Sequence, residues 1–376
     1  MILRRIGYTA AAPAASLVIG FGIAAVILAV SGNNPWTAYS TMFEAATRLE
    51  VMVDIVNRAT PLYIAGVAAA IGFRMNIFNI GVEGQYIVAG LLAAKTGAEI
   101  DLPAPLHLLV IILVAMASGA VWALIPAILA VTRNVHIVIS TIMLNAIGVG
   151  FVVAYLLPRW DEPDASLNTE TKTIPESGRF PELNRFVEWF TRDIGAGRSV
   201  LGFVIVAAIV GVLFHLYVNR TTAGYDLRAS GMNPLAAEVS GAAESRMVIQ
   251  AMVLSGAVAG LIGLPEILGV DYAYGLQFTK GLGFLGLGVA LLGRNHPGGI
   301  MVAALIFAFL DSTGASLQFE AGAPPEIIAI MQGIIVLAAV IVYEVVRRRR
   351  EADETRRAAI ALAKKQGEPI PEGLGA

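Results

Sequence analysis

Cysteine is absent from the 376 residues. That excludes disulfides, a thiolate metal site and a thiol nucleophile. Charge is also scarce: Asp, Glu, Lys and Arg make up 14% of the chain, against about 25% in soluble domains. So few charges cannot cover a water-facing surface. With 57% apolar residues and a mean hydropathy of +0.73, the chain is expected to be integral to a membrane. The alternating pattern of an outer-membrane strand is missing, and the apolar residues come in long runs, so the spans are expected to be helical. Histidine occurs only at His107, His136, His215 and His296, mostly near the ends of those runs. There is no H-E-x-x-H pair and no G-x-S-x-G elbow, so no enzyme site is expected. A formal net charge of −2 points to no particular partner, and none is expected to be nucleic acid.

Two apparent nucleotide motifs fail on context. Gly90-Leu-Leu-Ala-Ala-Lys95-Thr96 lacks the glycine before its lysine and ends an apolar run instead of joining a strand to a helix. Gly281-Leu-Gly283-Phe-Leu-Gly286 fits G-x-G-x-x-G without a preceding strand or a following ribose-binding acid. Its glycines, like Gly256 and Gly260, read better as places where helices approach closely in lipid. Without a phosphate loop the chain is not expected to hydrolyse ATP.

The apolar runs give about ten spans in chain order. Ala10–Val30 is too long for a signal-peptide core, normally about 7 to 15 residues, and reads as an uncleaved first span. Ser31–Arg58 reads as a mixed polar loop. Further spans are expected over Ala59–Phe73, Gln85–Gly97, Leu106–Val131, Ile137–Leu157, Val200–Val218 and Met247–Leu264. The last three fall within Gly275–Leu292, over Ile300–Leu310 and over Ile327–Val346, giving a membrane domain over 1–346. Pro158–Ser199 is the long polar loop, and Pro265–Tyr274 and Asp311–Pro325 read as shorter loops. The tail 347–376 is charged and then rich in Pro and Gly. Counted this way, Arg74, Arg133, Arg220, Arg228, Arg246 and Arg294 share one side with both termini, while the short loops opposite carry mostly acids. The positive-inside rule puts both termini in the cytoplasm.

Ile71–Ala94 breaks the apolar pattern with Arg74, Asn76, Asn79, Glu83 and Gln85, and with glycines 72, 81 and 84. It is either a loop between two spans or a broken helix lining a polar path. A broken helix at membrane depth is tolerated only where protein or water covers it. Asn145 is a second polar residue inside an apolar run, with Asp311 and Gln332 as weaker members. The plainer reading of these amides is interhelical hydrogen bonding. The sharper one is a translocation path or its gate, and Glu83 carries that weight if it lies at depth instead of at the cytoplasmic mouth. A proton-coupled transporter using Glu83 is the alternative function from another class.

Gly224–Glu244 is too polar to span. Asn233-Pro234 is a helix start with proline in the first turn, Leu235, Ala236, Ala237 and Val239 follow, and Gly241 can end the helix. A compact cytoplasmic helix of small residues suits a partner's groove.

Four stretches then resemble one family: Phe73–Gln85 (F-R-M-N-I-F-N-I-G-V-E-G-Q), Val138–Asn145, Gly224–Ala237 (G-Y-D-L-R-A-S-G-M-N-P-L-A-A) and Val289–Asn295. In this order they resemble the permease subunits of bacterial ABC importers, nearest the nucleoside and simple-sugar branch related to ribose permeases. The resemblance implies an all-α integral membrane fold of about ten transmembrane helices in two inverted five-helix halves, with the path at a helix interface. It implies a coupling helix within the cytoplasmic loop 219–246, carried by Arg228, Ala229, Gly231, Asn233, Pro234, Ala236, Ala237 and Gly241. It implies a separate ATPase subunit that binds ATP and magnesium, a second, different permease chain and an extracytoplasmic solute-binding protein. No cofactor is implied for this chain. Ser230 and Ser240 depart from the more apolar residues the pattern leads one to expect, and the tail beyond Arg350 has no counterpart.

Overall fold

The computed structural model describes residues 2–161, 169–184, 199–321 and 326–342, with two isolated positions beyond. The expected tail 347–376 lies almost wholly outside the described residues, as do two stretches of the expected loop 158–199. Among the described residues the structure is helical, with three isolated β-bridges and no strand.

Two compact units are distinguished. The first pairs α1 (Ile2–Val30) with the last described helix, Glu326–Val342. A Cβ on Gly20 would come within 2.5 Å of the Ile335 side chain, so these two helices meet at a residue without one.

The second unit, Trp36–Pro325, holds the rest. It runs α2 (Pro35–Ala46), α3 (Leu49–Arg74), α4 (Val82–Glu99), α5 (Ala104–Arg133) and α6 (Ile137–Ile147). α6 continues through a π-helical stretch, Gly148–Val153, to Arg159. Then come α7 (Phe203–Arg220), α8 (Thr222–Met232), α9 (Pro234–Val239), α10 (Glu244–Ala259), α11 (Leu264–Gly269), α12 (Leu282–Leu292) and α13 (Pro297–Ala321). Six helical stretches are long and apolar enough to cross a membrane, and three shorter apolar helices accompany them. The chain is a multi-pass membrane protein. α4 fails that hydropathy test because Glu83, Lys95 and Glu99 lie in it; it is nonetheless buried along most of its length.

Three expected loops are helical. Ser31–Arg58 contains α2 and the first turns of α3, Pro265–Tyr274 opens with α11, and α13 runs unbroken through Asp311 to Ala321. In each case polar residues lower the local hydropathy without removing the residues that sustain a helix. Phe309 of α13 packs on Phe43 of α2, with ring centroids 5.4 Å apart.

Small residues set the core. α5 packs along α10, and the two backbones nearly touch. A Cβ on Gly119 would come within 2.2 Å of the Gly256 carbonyl oxygen, and one on Gly260 within 2.1 Å of the Ala115 carbonyl oxygen. α3 lies against α10, α12 and α13. At the end away from Arg74, the segment 169–180 is tied down by backbone bonds, Thr171 N–H to Tyr274 O (2.9 Å) and Ile174 N–H to Tyr272 O (2.7 Å). His107 is buried there between Ser177 Oγ (2.9 Å) and the Gly97 carbonyl (3.0 Å). Both of its ring nitrogens are thus spent on structure.

Candidate functional site

α3 ends at Arg74, and Asn76 follows with a φ of 59°. This left-handed conformation, which asparagine tolerates better than most residues, turns the chain back on itself. A Cβ on Gly72 would come within 3.0 Å of the Ile77 carbonyl oxygen and 3.6 Å of Asn79 Cβ. The non-helical segment therefore climbs back beside the last turn of α3 before α4 starts. Of the two forms the sequence allowed, this is the broken one, covered by protein as such backbone must be.

A lattice of polar side chains holds it. Asn79 is fully buried: its Oδ1 accepts from Gly81 N–H (3.0 Å) and Gln85 Nε2 (3.2 Å). Its Nδ2 donates to Ser255 Oγ on α10 (2.9 Å) and Gln85 Oε1 (3.2 Å). Ser255 in turn donates to the Ala68 carbonyl of α3 at 2.7 Å. Asn145 on α6 reaches across to accept from Gly84 N–H (2.9 Å) and donate to the Ile80 carbonyl (3.0 Å). Three helices are thus tied to one break.

Within this lattice Glu83 makes the longest reach in sequence. Its carboxylate accepts from Gly281 N–H at 2.6 Å and Gly283 N–H at 3.0 Å, the free donors at the start of α12. The positive end of the helix dipole favours an anion there. Tyr86 Oη lies 3.2 Å from Glu83 Oε1 and 2.9 Å from the Thr279 carbonyl, its one proton shared between two acceptors. α12 is half a membrane long and follows the irregular stretch 270–281, so the carboxylate caps a second broken helix. The glycines of the discarded fingerprint explain the approach. Gly281 has a φ of 93°, and a Cβ on Gly283 would come within 2.5 Å of Glu83 N.

Asn79, Glu83, Gln85 and Asn145 are thus brought together, each with at most 8% exposure. Asn76 is not among them; it is exposed at the turn. Gln332 is buried in the last described helix, in the other unit. Ser255, Tyr86 and the Gly281 and Gly283 amides belong to the lattice and were not singled out from the sequence. A serine in an apolar run and two backbone groups carry no signal before the fold is known.

The second feature lies at the Arg74 end. Thr221 caps α8 by accepting from Gly224 N–H at 3.0 Å, and Asn233 caps α9 by accepting from Ala236 N–H at 3.1 Å. Pro234 fills the first turn of α9, and Gly241 leaves it with a φ of 95°. Arg228, Ala229 and Gly231 are half-buried; a Cβ on Gly231 would come within 2.6 Å of the Arg74 carbonyl oxygen. Ala237, expected at a contact surface, is 3% exposed and packs inward. The outward residues are Met232, Leu235 and Val239, at 82, 77 and 92% exposure, beside exposed Asn233, Pro234, Ala236 and Gly241.

The site thus comprises two features, a braced break among the apolar helices and a capped apolar lug at one end. Among the described residues no group of His, Asp and Glu could hold a metal ion. Residues 51–340 match the family model described as "Branched-chain amino acid transport system / permease component". The chain belongs to this permease family. Its members are transport components and not enzymes. The chain is 33% identical to the guanosine ABC transporter permease protein NupP of Bacillus subtilis, over 86% of this chain and 91% of that protein. It is 30% identical to the nucleoside ABC transporter permease protein NupB of Lactococcus lactis, over 86% and 88%. The glucose ABC transporter permease protein TsgB13 of Haloferax volcanii is 30% identical over 86% and 84%. No solved structure matches the chain. As a permease of this kind it works with an ATPase and a solute-binding protein.

One titrating group sits at the Arg74 end of the permease's α3. The His296 ring lies edge-on to His215, 6.1 Å between centroids, and Arg74 is nearby. Burial first, then the neighbouring His215 and Arg74 side chains, push the His296 pKa down. The folded protein therefore binds fewer protons here than the unfolded chain. The stability this contributes is present above the unfolded value of about 6.5 and is lost as pH falls through the lower folded value. We expect the melting temperature in detergent to fall on acidification below pH 6.5, and His296→Gln to flatten that fall. An identical profile in the variant would exclude the ring as its source.

Proposed function

We propose that this chain is one permease subunit of an ATP-driven importer for nucleosides, or closely related ribosyl compounds, in a bacterial plasma membrane. Both termini are cytoplasmic, so the Arg74 end is the cytoplasmic one. The observation that carries the coupling reading is the exposed face of α9. Two large apolar side chains, Leu235 and Val239, project from a doubly capped, proline-started helix on a soluble loop, and Met232 at the end of α8 lies beside them in sequence. Such a face is costly to leave in water and fits a groove in a partner. ATP and magnesium act in that partner, and closure of its two nucleotide sites pushes α8 and α9 against the end of α3. A second permease chain, different from this one, completes the path, and this chain contributes about ten transmembrane helices arranged as two inverted five-helix halves.

The nucleoside assignment is supported by the guanosine and nucleoside permeases among the relatives; the glucose permease marks the nearest competing solute. Asn76, Asn79, Glu83, Gln85 and Asn145 flank the path at its break. The four buried ones act as its braces, because their hydrogen-bonding groups are already taken. This also weighs against proton coupling through Glu83, which would need a water-accessible carboxyl free of fixed donors.

Leu235→Asp combined with Val239→Asp tests the coupling. Both residues are exposed, so the chain should insert and melt as before. ATP-dependent uptake of a radiolabelled purine nucleoside by the reconstituted assembly is expected to fall at least tenfold. Uptake at the parent rate would remove α9 from the coupling.

A further inference from the structure

Arg58 and Asp311 pair directly, and both sit inside long helices, α3 and α13. Arg58 stands about 24 Å of helix rise from Arg74, and Asp311 about 21 Å from Pro297. Both therefore fall within a hydrocarbon layer of about 30 Å, on its outer side. Their side chains are nevertheless 57 and 45% exposed. Nearer the outer end a second half-exposed pair, Arg48 with Glu320 at 3.2 Å, joins the residue that precedes α3 to α13.

The exposed face of α13 changes character along its length. Toward Pro297 it shows Met301, Val302 and Leu305. From Asp311 outward it shows Asp311, Ala315 and Gln318, one helical stripe at four- and three-residue spacing. The inner part suits lipid or an apolar neighbour. The outer part does not, since ionised groups facing hydrocarbon are strongly disfavoured and a short aspartate cannot snorkel to the surface.

We propose that the outer parts of α3 and α13 line a water-filled vestibule, and that the Arg58–Asp311 pair at its inner limit is a contact point for a neutral, hydroxyl-rich solute. The two charges cancel, so the pair neither attracts nor rejects an ion as a lone charge would. It offers guanidinium N–H donors to carbonyl and ring-nitrogen acceptors, and a carboxylate acceptor to hydroxyls. A nucleoside presents all of these. The vestibule rests on the importer reading above, because only a transport path brings water and solute to that face.

The chain's lack of cysteine makes the test direct. Ala315→Cys and Leu305→Cys, each in the full assembly in lipid vesicles, are treated with a charged, membrane-impermeant methanethiosulfonate. Ala315→Cys is expected to react at least tenfold faster than Leu305→Cys. Equal rates, or no reaction at Ala315→Cys, would mean that lipid or a partner chain covers the face and would overturn the vestibule. Labelling needs no transport, so its failure leaves the importer standing, whereas absent ATP-driven uptake by the unmodified assembly sinks the importer first. In a second arm, Asp311→Asn is expected to leave the Ala315→Cys labelling rate unchanged while slowing nucleoside uptake several-fold. Unchanged uptake would overturn the contact, and a changed labelling rate would show the pair to be structural only.

Discussion

Glu83→Ala is expected to abolish uptake and to lower the melting temperature in detergent by roughly ten degrees. The alanine leaves the half-buried Gly281 amide and the buried Gly283 amide without their acceptor. An unsatisfied buried donor costs about 1 to 3 kcal/mol, so two cost roughly 2 to 6 kcal/mol, a large share of a typical total of about 5 to 15. α12 would lose its cap, and the break between α3 and α4 one of its ties to the second half of the chain. Glu83→Gln keeps one acceptor oxygen but turns a donor toward an N–H, so it should fall between parent and alanine in both readouts. A proton-carrying glutamate behaves differently: the glutamine variant would be inactive yet as stable as the parent. Uptake and melting by Glu83→Gln therefore separate brace from carrier.

The second large effect is expected at the α5–α10 contact. A side chain at Gly119 or Gly260 would meet backbone oxygen, not a flexible side-chain tip. Relief requires the two helices to separate, which forfeits the packing that drives association in lipid. Gly119→Val and Gly260→Val should each yield less than a tenth of the parent's monodisperse protein by size-exclusion chromatography. Gly150→Ala is the control, because nothing lies within 4 Å of a Cβ there. If the valine variants are recovered like the control, the close approach of the two helices is not what holds them.

The break at 74–83 was legible in the sequence because polar residues interrupt an apolar run, an exception that lipid seldom allows. α9 was legible for a local reason too: asparagine followed by proline caps and starts a helix whatever surrounds it. Arg58 and Asp311 illustrate the converse. Each ends an apolar run when read along the chain, so each fell into an expected loop, yet a helix carries charge readily when one face is not against lipid. Ala237 looked like a contact because it is small and central in the motif; which face of a six-residue helix turns outward depends on what lies beneath it. Glu83 could be singled out by its type, but its partners could not. They are main-chain groups in a glycine run some 200 positions later.

That separation bears on how the chain is made. A ribosome adds about 5 to 20 residues per second, so Glu83 leaves the tunnel roughly 10 to 40 seconds before the amides that will receive it. α4 is too polar to partition alone, and for that interval its carboxylate lacks the two amides, with only the Tyr86 hydroxyl of its own helix at hand. It must wait at the insertion machinery, against a chaperone or at the water boundary, until the second half arrives. Assembly of this permease is therefore finished late, by the chain's own distant glycines, and a message truncated before codon 281 should yield a product that is degraded and not stored.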